Sequence, residues 1–336
     1  MSIRFSYITI KKHIKQKIDN MKTKSFKIDA VYLWVDDNDP EWREKKNYYS
    51  QTSSKNNSAA VHECRFRDND ELRYSLRSIE KYTPWINNVF IIADNQKPSW
   101  INEKEIQIID HKEIFPDWAT LPNFNSNAIE LCSHRIKNLS EHYMLFNDDF
   151  ILGNAVYPGY FFNKNGTPRS WVIEKKPSKI KKSSHDYYTK QVIEEKMSSP
   201  FLFKARHYPK VFKKTIMLNI WEEFKDEIRL TLNHRFRSSN DLRIITFFPH
   251  FAYYNNLNEV LPINKIVPTF RRFGLKIPHI GASVGDKNFR RKLFAAKYFK
   301  PLTMCFNDAP KASDYERTLL IDTYKKMLPD KSRFER

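Results

Sequence analysis

One pattern constrains this chain more than any other. Short runs of β-forming apolar residues end abruptly in acidic or amide residues, and helical patterns separate them. Ile28-Asp-Ala-Val-Tyr-Leu-Trp-Val35 stops at Asp36-Asp37-Asn38-Asp39-Pro40, and Val89-Phe-Ile-Ile-Ala93 stops at Asp94-Asn95. Ile106-Gln-Ile-Ile109 stops at Asp110-His111, and Tyr143-Met-Leu-Phe146 at Asn147-Asp148-Asp149. Runs that are apolar at nearly every position suit strands buried on both faces of a parallel sheet. Between them, residues 70–81 set Leu72, Leu76 and Ile79 on one helical face, with Asp70 as the expected cap. Residues 126–137 do the same with Ala128, Ile129, Cys132 and Ile136. The alternation predicts an α/β fold with a mostly parallel sheet flanked by helices. Ligands bind such sheets at the carboxyl ends of the strands, where these aspartates collect. Asp and Asn are also ordinary turn residues, so a single one carries little weight and the pair Asp148-Asp149 carries more.

The remaining chain divides by texture. Residues 1–27 read as a basic leader, 28–165 as the sheet half, and 166–184 as a basic loop around Lys175, Lys176, Lys179, Lys181 and Lys182. Residues 185–300 read as a helical half, with periodic stretches at 188–197, 211–224, 241–253 and 287–298. Residues 301–336 supply a last strand and a helix that complete the core. The polar stretch 45–59 is expected to be a loop.

Composition narrows the chemistry. Lys and Arg number 58 against 39 Asp and Glu, a net charge of +19. Such a field attracts nucleic acid, anionic lipid, nucleotide diphosphates or acidic glycans without choosing among them. Only 6 glycines are present, and no Gly-rich phosphate loop occurs. The three cysteines, Cys64, Cys132 and Cys305, form neither a disulfide framework nor a metal clip, which suits a reducing compartment. No apolar run approaches the roughly 20 residues of a membrane span. The leader runs from apolar to basic, opposite to a signal peptide, so a cytoplasmic location is expected. The leader itself could rest on anionic lipid at the inner face of the plasma membrane.

Several clusters could carry chemistry. Asp148-Asp149 at a strand exit could hold Mg²⁺ or Mn²⁺, which in turn grips a diphosphate; the bland alternative is a capped, solvated turn. Residues 65–77, Arg-Phe-Arg-Asp-Asn-Asp-Glu-Leu-Arg-Tyr-Ser-Leu-Arg, crowd charges at a helix start, a natural anion site or ordinary capping. His207 could act as a general base, although a lone histidine is more often structural. Asn233-His-Arg-Phe-Arg237 could clamp phosphate through Arg235 and Arg237, and Asn307-Asp308 closes the last strand.

The stretches 28–40, 65–85 and 121–130, with Leu139-Ser-Glu-His-Tyr-Met-Leu-Phe-Asn-Asp-Asp-Phe150, resemble the Stealth family of sugar-phosphate transferases. His207-Tyr-Pro, His234-Arg-Phe-Arg-Ser-Ser-Asn-Asp241 and Met304-Cys-Phe-Asn-Asp308 extend the resemblance. It implies a Rossmann-like fold similar to nucleotide-sugar transferases. It also implies transfer of hexose-1-phosphate, typically N-acetylhexosamine-1-phosphate, from a UDP-sugar to an acceptor hydroxyl in a capsular or cell-surface polysaccharide, with release of UMP. The motifs place His207, Glu71, Asp94 and Arg237 at catalytic positions. They place Asp148 and Asp149 at a divalent-cation site, and Asp36, Arg73, Asn125, His134, Arg135, Arg235 and Asn307 among substrate contacts. Expected partners are the nucleotide-sugar donor, a polysaccharide or oligosaccharide acceptor and, through peripheral contact, an anionic membrane or the capsule assembly machinery, with no nucleic acid. A metal-dependent glycosyltransferase releasing UDP and a non-enzymatic polyanion binder remain the alternatives.

Overall fold

A computed structural model describes residues 26–52, 58–174, 180–182, 184–205, 208–262 and 279–336. Its centre is a five-stranded sheet of β1 (Ile28–Leu33), β2 (Val89–Ala93), β3 (Gln107–Asp110), β4 (His142–Asn147) and β8 (Lys210–Lys213). Spatial order is β3-β2-β1-β4-β8. The first four run parallel and β8 pairs antiparallel with β4. The expected mostly parallel α/β sheet is what forms. Its middle strands are apolar on both sides because both sides are covered. Val31, Phe90, Ile92 and Leu145 pack under the helices Ser126–Cys132, Lys214–Glu223 and Ile244–Tyr254. Ala30, Tyr32, Ile91, Met144 and Phe146 pack under the helix Glu71–Tyr82.

Two smaller sheets attach to this one. In the first, β10 (His279–Ser283) runs parallel to β11 (Thr303–Asn307), which pairs antiparallel with β5 (Phe150–Leu152). Its outer face packs against the helices Phe289–Phe299 and Asp314–Met327 through Ile151, Leu293, Phe306, Leu320 and Tyr324. In the second, β6 (Arg169–Glu174) lies between β7 (Phe203–Lys204) and β9 (Glu259–Pro262).

Five expectations need correction. Residues 45–59 are not simply a loop: the helix Pro40–Thr52 and a helical turn, Ser58–Val61, occupy most of them. The polar composition concealed a sound helix start, in which the Asp39 carboxylate accepts from the amides of Glu41 and Trp42 at 3.0 and 3.1 Å and Pro40 opens the helix. Residues 211–213 belong to β8, which pairs antiparallel with β4, rather than beginning a helix. The span 166–184 contains β6; residues 175–179 and 183 of the basic loop, like residues 1–25 of the leader, lie outside the described residues. The portion 185–300 is mixed α/β, and its β8 joins the main sheet. Asp70 stands before its helix with a left-handed φ of 71° and gives no side-chain cap. Its carboxylate accepts instead from Arg73 Nε at 2.8 Å.

The C-terminal tail returns to the helix Glu71–Tyr82. Arg77 grips the Glu335 carboxylate with two bonds, Nε at 2.8 Å and Nη2 at 2.7 Å, and the Glu335 side chain is only 1% exposed. Among the described residues no helix is long and apolar enough to cross a membrane. Removing one member of a buried pair strands the other, at a cost of about 3 kcal/mol. Arg77→Met should therefore lower unfolding free energy by about that amount in urea titration. Lys97→Ala, whose partner Glu103 stands in solvent, should leave the midpoint unchanged.

Candidate active site

The site lies where the main sheet hands the chain to the second sheet. β4 ends at Asn147, Asp148 and Asp149 make the turn, and β5 leaves to pair with β11. β11 then brings Asn307 to the same place, and its Nδ2 donates to Asp149 Oδ2. The turn is thus fixed from both sheets, and the Asp149 amide closes on Asp148 Oδ1 at 3.0 Å.

Further carboxylates converge on it. Glu71, at the first turn of its helix, is buried and accepts from the Asn69 amide at 2.8 Å and Asn69 Nδ2 at 2.9 Å. The left-handed residue at Asp70 turns the chain between Asn69 and this helix. Burial pushes Glu71 up to about 7, with Asp68 adding repulsion after the Asn69 bonds oppose it. Asp149 and Asp68 are each pushed to about 6, chiefly by burial. Asp148 lies well above the usual carboxylate range, from burial first and then from the charges of Asp149, Glu71 and Asp68. Asp149 Oδ1 is buried with no hydrogen-bond partner. Hard oxygen donors crowded together, one of them orphaned, suit Mg²⁺ or Mn²⁺. Among the described residues, no group of three or more His, Cys, Asp or Glu side chains is placed to hold a metal ion. An open site of one or two carboxylates, completed by phosphate oxygens, is the usual arrangement for Mg²⁺.

Cations face these acids. Two adjoining cavities share Arg65, Asn147, Asp148 and Arg237 as walls. One extends over Trp34, Trp42, Phe66 and Phe124 to Asp94 and His111; the other holds Glu71, Asp149, Arg67, Asn307 and Asp308. Arg237 is fixed by its Nη2 on Ser126 Oγ. Burial, then the charges of Arg65 and Arg243, bring it down to about 10, which Glu130 partly offsets. Arg67 is already engaged, donating to Asp308 Oδ2 at 2.7 Å. Asp94 pairs with Lys45 Nζ at 2.5 Å. His111 beside it is held down to about 4 by burial against the opposing charge of Asp94, so its imidazole is neutral at pH 7.

Of the expected site residues, the fold gathers Glu71, Asp94, Asp148, Asp149, Arg237 and Asn307 around these two cavities. His207 lies outside the described residues. The others line neither cavity. Asp36 closes its own turn, accepting from the Asn38 amide and Nδ2. Arg73 binds Asp70 and stacks over Trp100, 4.6 Å from the ring centre. Asn125 caps the helix Ser126–Cys132 and donates to Asp241 Oδ2 at 2.9 Å. Buried His134 meets the Leu131 carbonyl, and burial lowers it to about 3. Arg135 donates to the Ile114 carbonyl, and Arg235 to the Pro122 carbonyl while covering Tyr49. These arrangements fit a supporting role, since Asn125 and Arg235 brace the segments that carry Ser126 and Arg237. Sequence reasoning passed over Arg65, Arg67, Asp68 and Ser126. The first three stood in the stretch 65–77, where helical spacing drew attention to Arg73 instead.

Three family models match: Stealth conserved region 1 over residues 26–54, region 2 over 65–170 and region 3 over 206–254. The chain is 36% identical over 248 residues to the capsular polysaccharide phosphotransferase fcs1 of Haemophilus influenzae, covering 70% of this chain and 67% of that one. It is 32% identical over 300 residues to the capsular polysaccharide phosphotransferase LcbA of Neisseria meningitidis, covering 84% and 78%. The chain belongs to the Stealth family of sugar-phosphate transferases. The solved galactosyltransferase LgtC aligns over 90% of this Stealth chain and 98% of its own, at 8% identity and a TM-score of 0.42.

The raised carboxylates have a measurable consequence. An acid whose folded pKa exceeds its unfolded value stabilises the fold below the unfolded pKa, and that contribution is lost as pH rises through the folded one. For Glu71 and Asp149 the window runs from about pH 4 to pH 7, at about 1.4 kcal/mol per pH unit per group. In EDTA, the melting temperature should fall from pH 5 to pH 8. Glu71→Gln should flatten that slope, and millimolar Mg²⁺ should restore the wild-type melting temperature at pH 8. A pH-independent difference between the two proteins would refute the assignment.

Proposed function

We propose that this Stealth protein transfers hexose-1-phosphate, an N-acetylhexosamine-1-phosphate in our reading, from a UDP-sugar to a hydroxyl of a capsular or cell-surface polysaccharide. The acceptor oxygen bonds to the phosphorus that carries the sugar. The bridging P–O bond of the diphosphate breaks, UMP departs with that oxygen, and a phosphodiester remains. The observation that carries this reading is the shared wall of the two cavities. There Asp148 stands on the acidic side, with Arg65 and Arg237 beside it, between an aromatic compartment and a polar one.

Each side chain then has a task. Trp34, Phe66 and Phe124 offer flat apolar surface to a nucleoside. Asp148 and Asp149 would hold Mg²⁺ or Mn²⁺, which supplies charge neutralisation to the diphosphate. Arg237 and Arg65 meet the oxygens of the transferred group, and Ser126 prevents Arg237 from swinging aside. Asn307 holds Asp149 through Oδ2, and Asp149 Oδ1 is buried without a hydrogen-bond partner. Glu71 and Asp94 occupy the remaining acidic positions, with Glu71 orienting the reacting groups near Asp148. His207, by family resemblance, takes the acceptor proton. A nucleotide-sugar donor is anionic, which suits a chain of net charge +19.

The test is a product assay with UDP-N-acetylhexosamines and an oligosaccharide acceptor. Release of UMP and a phosphodiester signal in the phosphorus NMR spectrum are expected. UDP release with no phosphorus in the product would make the chain a glycosyltransferase instead. In the same assay, Arg237→Lys should lower kcat by about 10²–10³-fold, as for loss of a preorganised donor. His207→Ala should lower it by about 10²–10⁴-fold, as for loss of a general base. Near-wild-type turnover in either variant removes that residue from the mechanism.

A further inference from the structure

The helix Phe289–Phe299 has two faces of different kind. Phe289, Leu293 and Ala296 are buried and bind it to the second sheet. The opposite face carries Phe294 at 71% exposure, Tyr298 at 72% and Phe299 at 54%. Arg291, Phe294 and Tyr298 are spaced i, i+3 and i+7, so they form one stripe of the helix. The rings of Phe294 and Tyr298 stack along it, with centres 6.4 Å apart and planes 9° from parallel. Arg290, Arg291, Lys297 and Lys300 flank the rings and are exposed, and residues 287–302 contain no acidic side chain. The patch continues onto the next helix, where Tyr315 is 64% exposed and Arg290 stands 5.2 Å from its ring centre.

Large aromatic side chains exposed together on one surface mark an interaction site. The chemistry of this one selects a partner. A purely polyanionic partner would need the cations but gain little from two stacked rings. A purely apolar protein partner would leave these four cations without an opposite charge. An anionic bilayer surface meets both requirements, because aromatic rings settle at the headgroup level and Lys and Arg meet lipid phosphates beside them. We propose that the face formed by Phe294, Tyr298, Phe299 and Tyr315 with Arg290, Arg291, Lys297 and Lys300 docks this protein on an anionic membrane. Ser283, at the end of the strand before this helix, and Pro310, five residues before Tyr315, both line the polar cavity. Docking would therefore hold that cavity near the bilayer, where an acceptor anchored in lipid would be presented. This surface shares no residue with the transfer site, so it stands or falls independently of the reaction proposed above.

The test is co-sedimentation of the full chain with vesicles of phosphatidylcholine alone and of phosphatidylcholine with 30 mol% phosphatidylglycerol, in about 0.1 M salt. Binding is expected only to the second. Phe294→Ser with Tyr298→Ser should weaken it at least about tenfold. Arg290→Gln with Arg291→Gln should weaken it roughly fivefold per cation removed, an effect that shrinks as salt is raised. Neither pair should change turnover of soluble donor and acceptor, which also shows that the variants fold. Unchanged vesicle binding in the Ser variant would overturn the proposal and assign the lipid contact to another basic surface. So would a failure of the wild type to bind, or a dimer in solution that the Ser variant dissolves. Equal competition by a soluble acidic polysaccharide in the wild type and the Ser variant would reduce the patch to a charge effect and overturn it as well.

Discussion

The hydrogen bond from Asn307 to Asp149 ties the second sheet to the turn at which the chain leaves the main sheet. β4 belongs to the main sheet and β5 to the second, and two residues separate them. A two-residue turn cannot be displaced without moving both sheets, so Asp148 and Asp149 inherit the rigidity of two hydrophobic cores. The helix Glu71–Tyr82 supports the same arrangement from one side. Leu72, Leu76 and Ile79 face the main-sheet core and Tyr74 the other. Ser78 Oγ accepts from the Leu152 amide at 2.9 Å. Glu71 therefore arrives at the turn already aligned. A site built on element ends braced in this way holds its donors in place before substrate binds.

Much of this was legible in the sequence, for a physical reason. A strand buried on both faces must be apolar throughout, so β1, β2 and β4 were visible as runs and their ends were visible as interruptions. The pair Asp148 and Asp149 stood out in that pattern, whereas Asp94, a single strand-end aspartate, was marked by the family resemblance. What failed was equally physical. Pro40–Thr52 exposes most of its surface and buries Trp42 and Lys46 four residues apart, so its composition resembled a loop. β8 is four residues long and continues directly into a helix, so its period could not be separated from the helical one.

The misplaced side chains teach something narrower. Arg73, Arg135 and Arg235 look like phosphate ligands in sequence, yet each has its guanidinium over an aromatic ring and donates to an acid or a carbonyl. Arginine serves packing and recognition with the same chemistry. Only the fold tells which arginine faces open space. Arg237 could be separated from Arg235, two residues away, only once Ser126 had been brought beside it.

The arrangement of charge explains why such a site stays open. Arginines and carboxylates this close would normally collapse into ion pairs. Here the arginine that could bridge the gap most directly, Arg67, is tied to Asp308, which Arg317 also contacts at 3.2 Å. Arg237 is anchored to a neutral hydroxyl and not to an acid. The acids are thus left to repel one another and lie above the usual carboxylate range, while burial and the charges of Arg65 and Arg243 lower Arg237. Burial disfavours the charged form of both groups. On the function proposed above, a divalent cation would relieve the acids and a diphosphate would relieve Arg237. Because these two ligands would also neutralise each other, each should favour the other's binding. Such a site would discriminate against monoanionic sugars, which could satisfy the arginines but would leave a cation on the carboxylates without its phosphate oxygens.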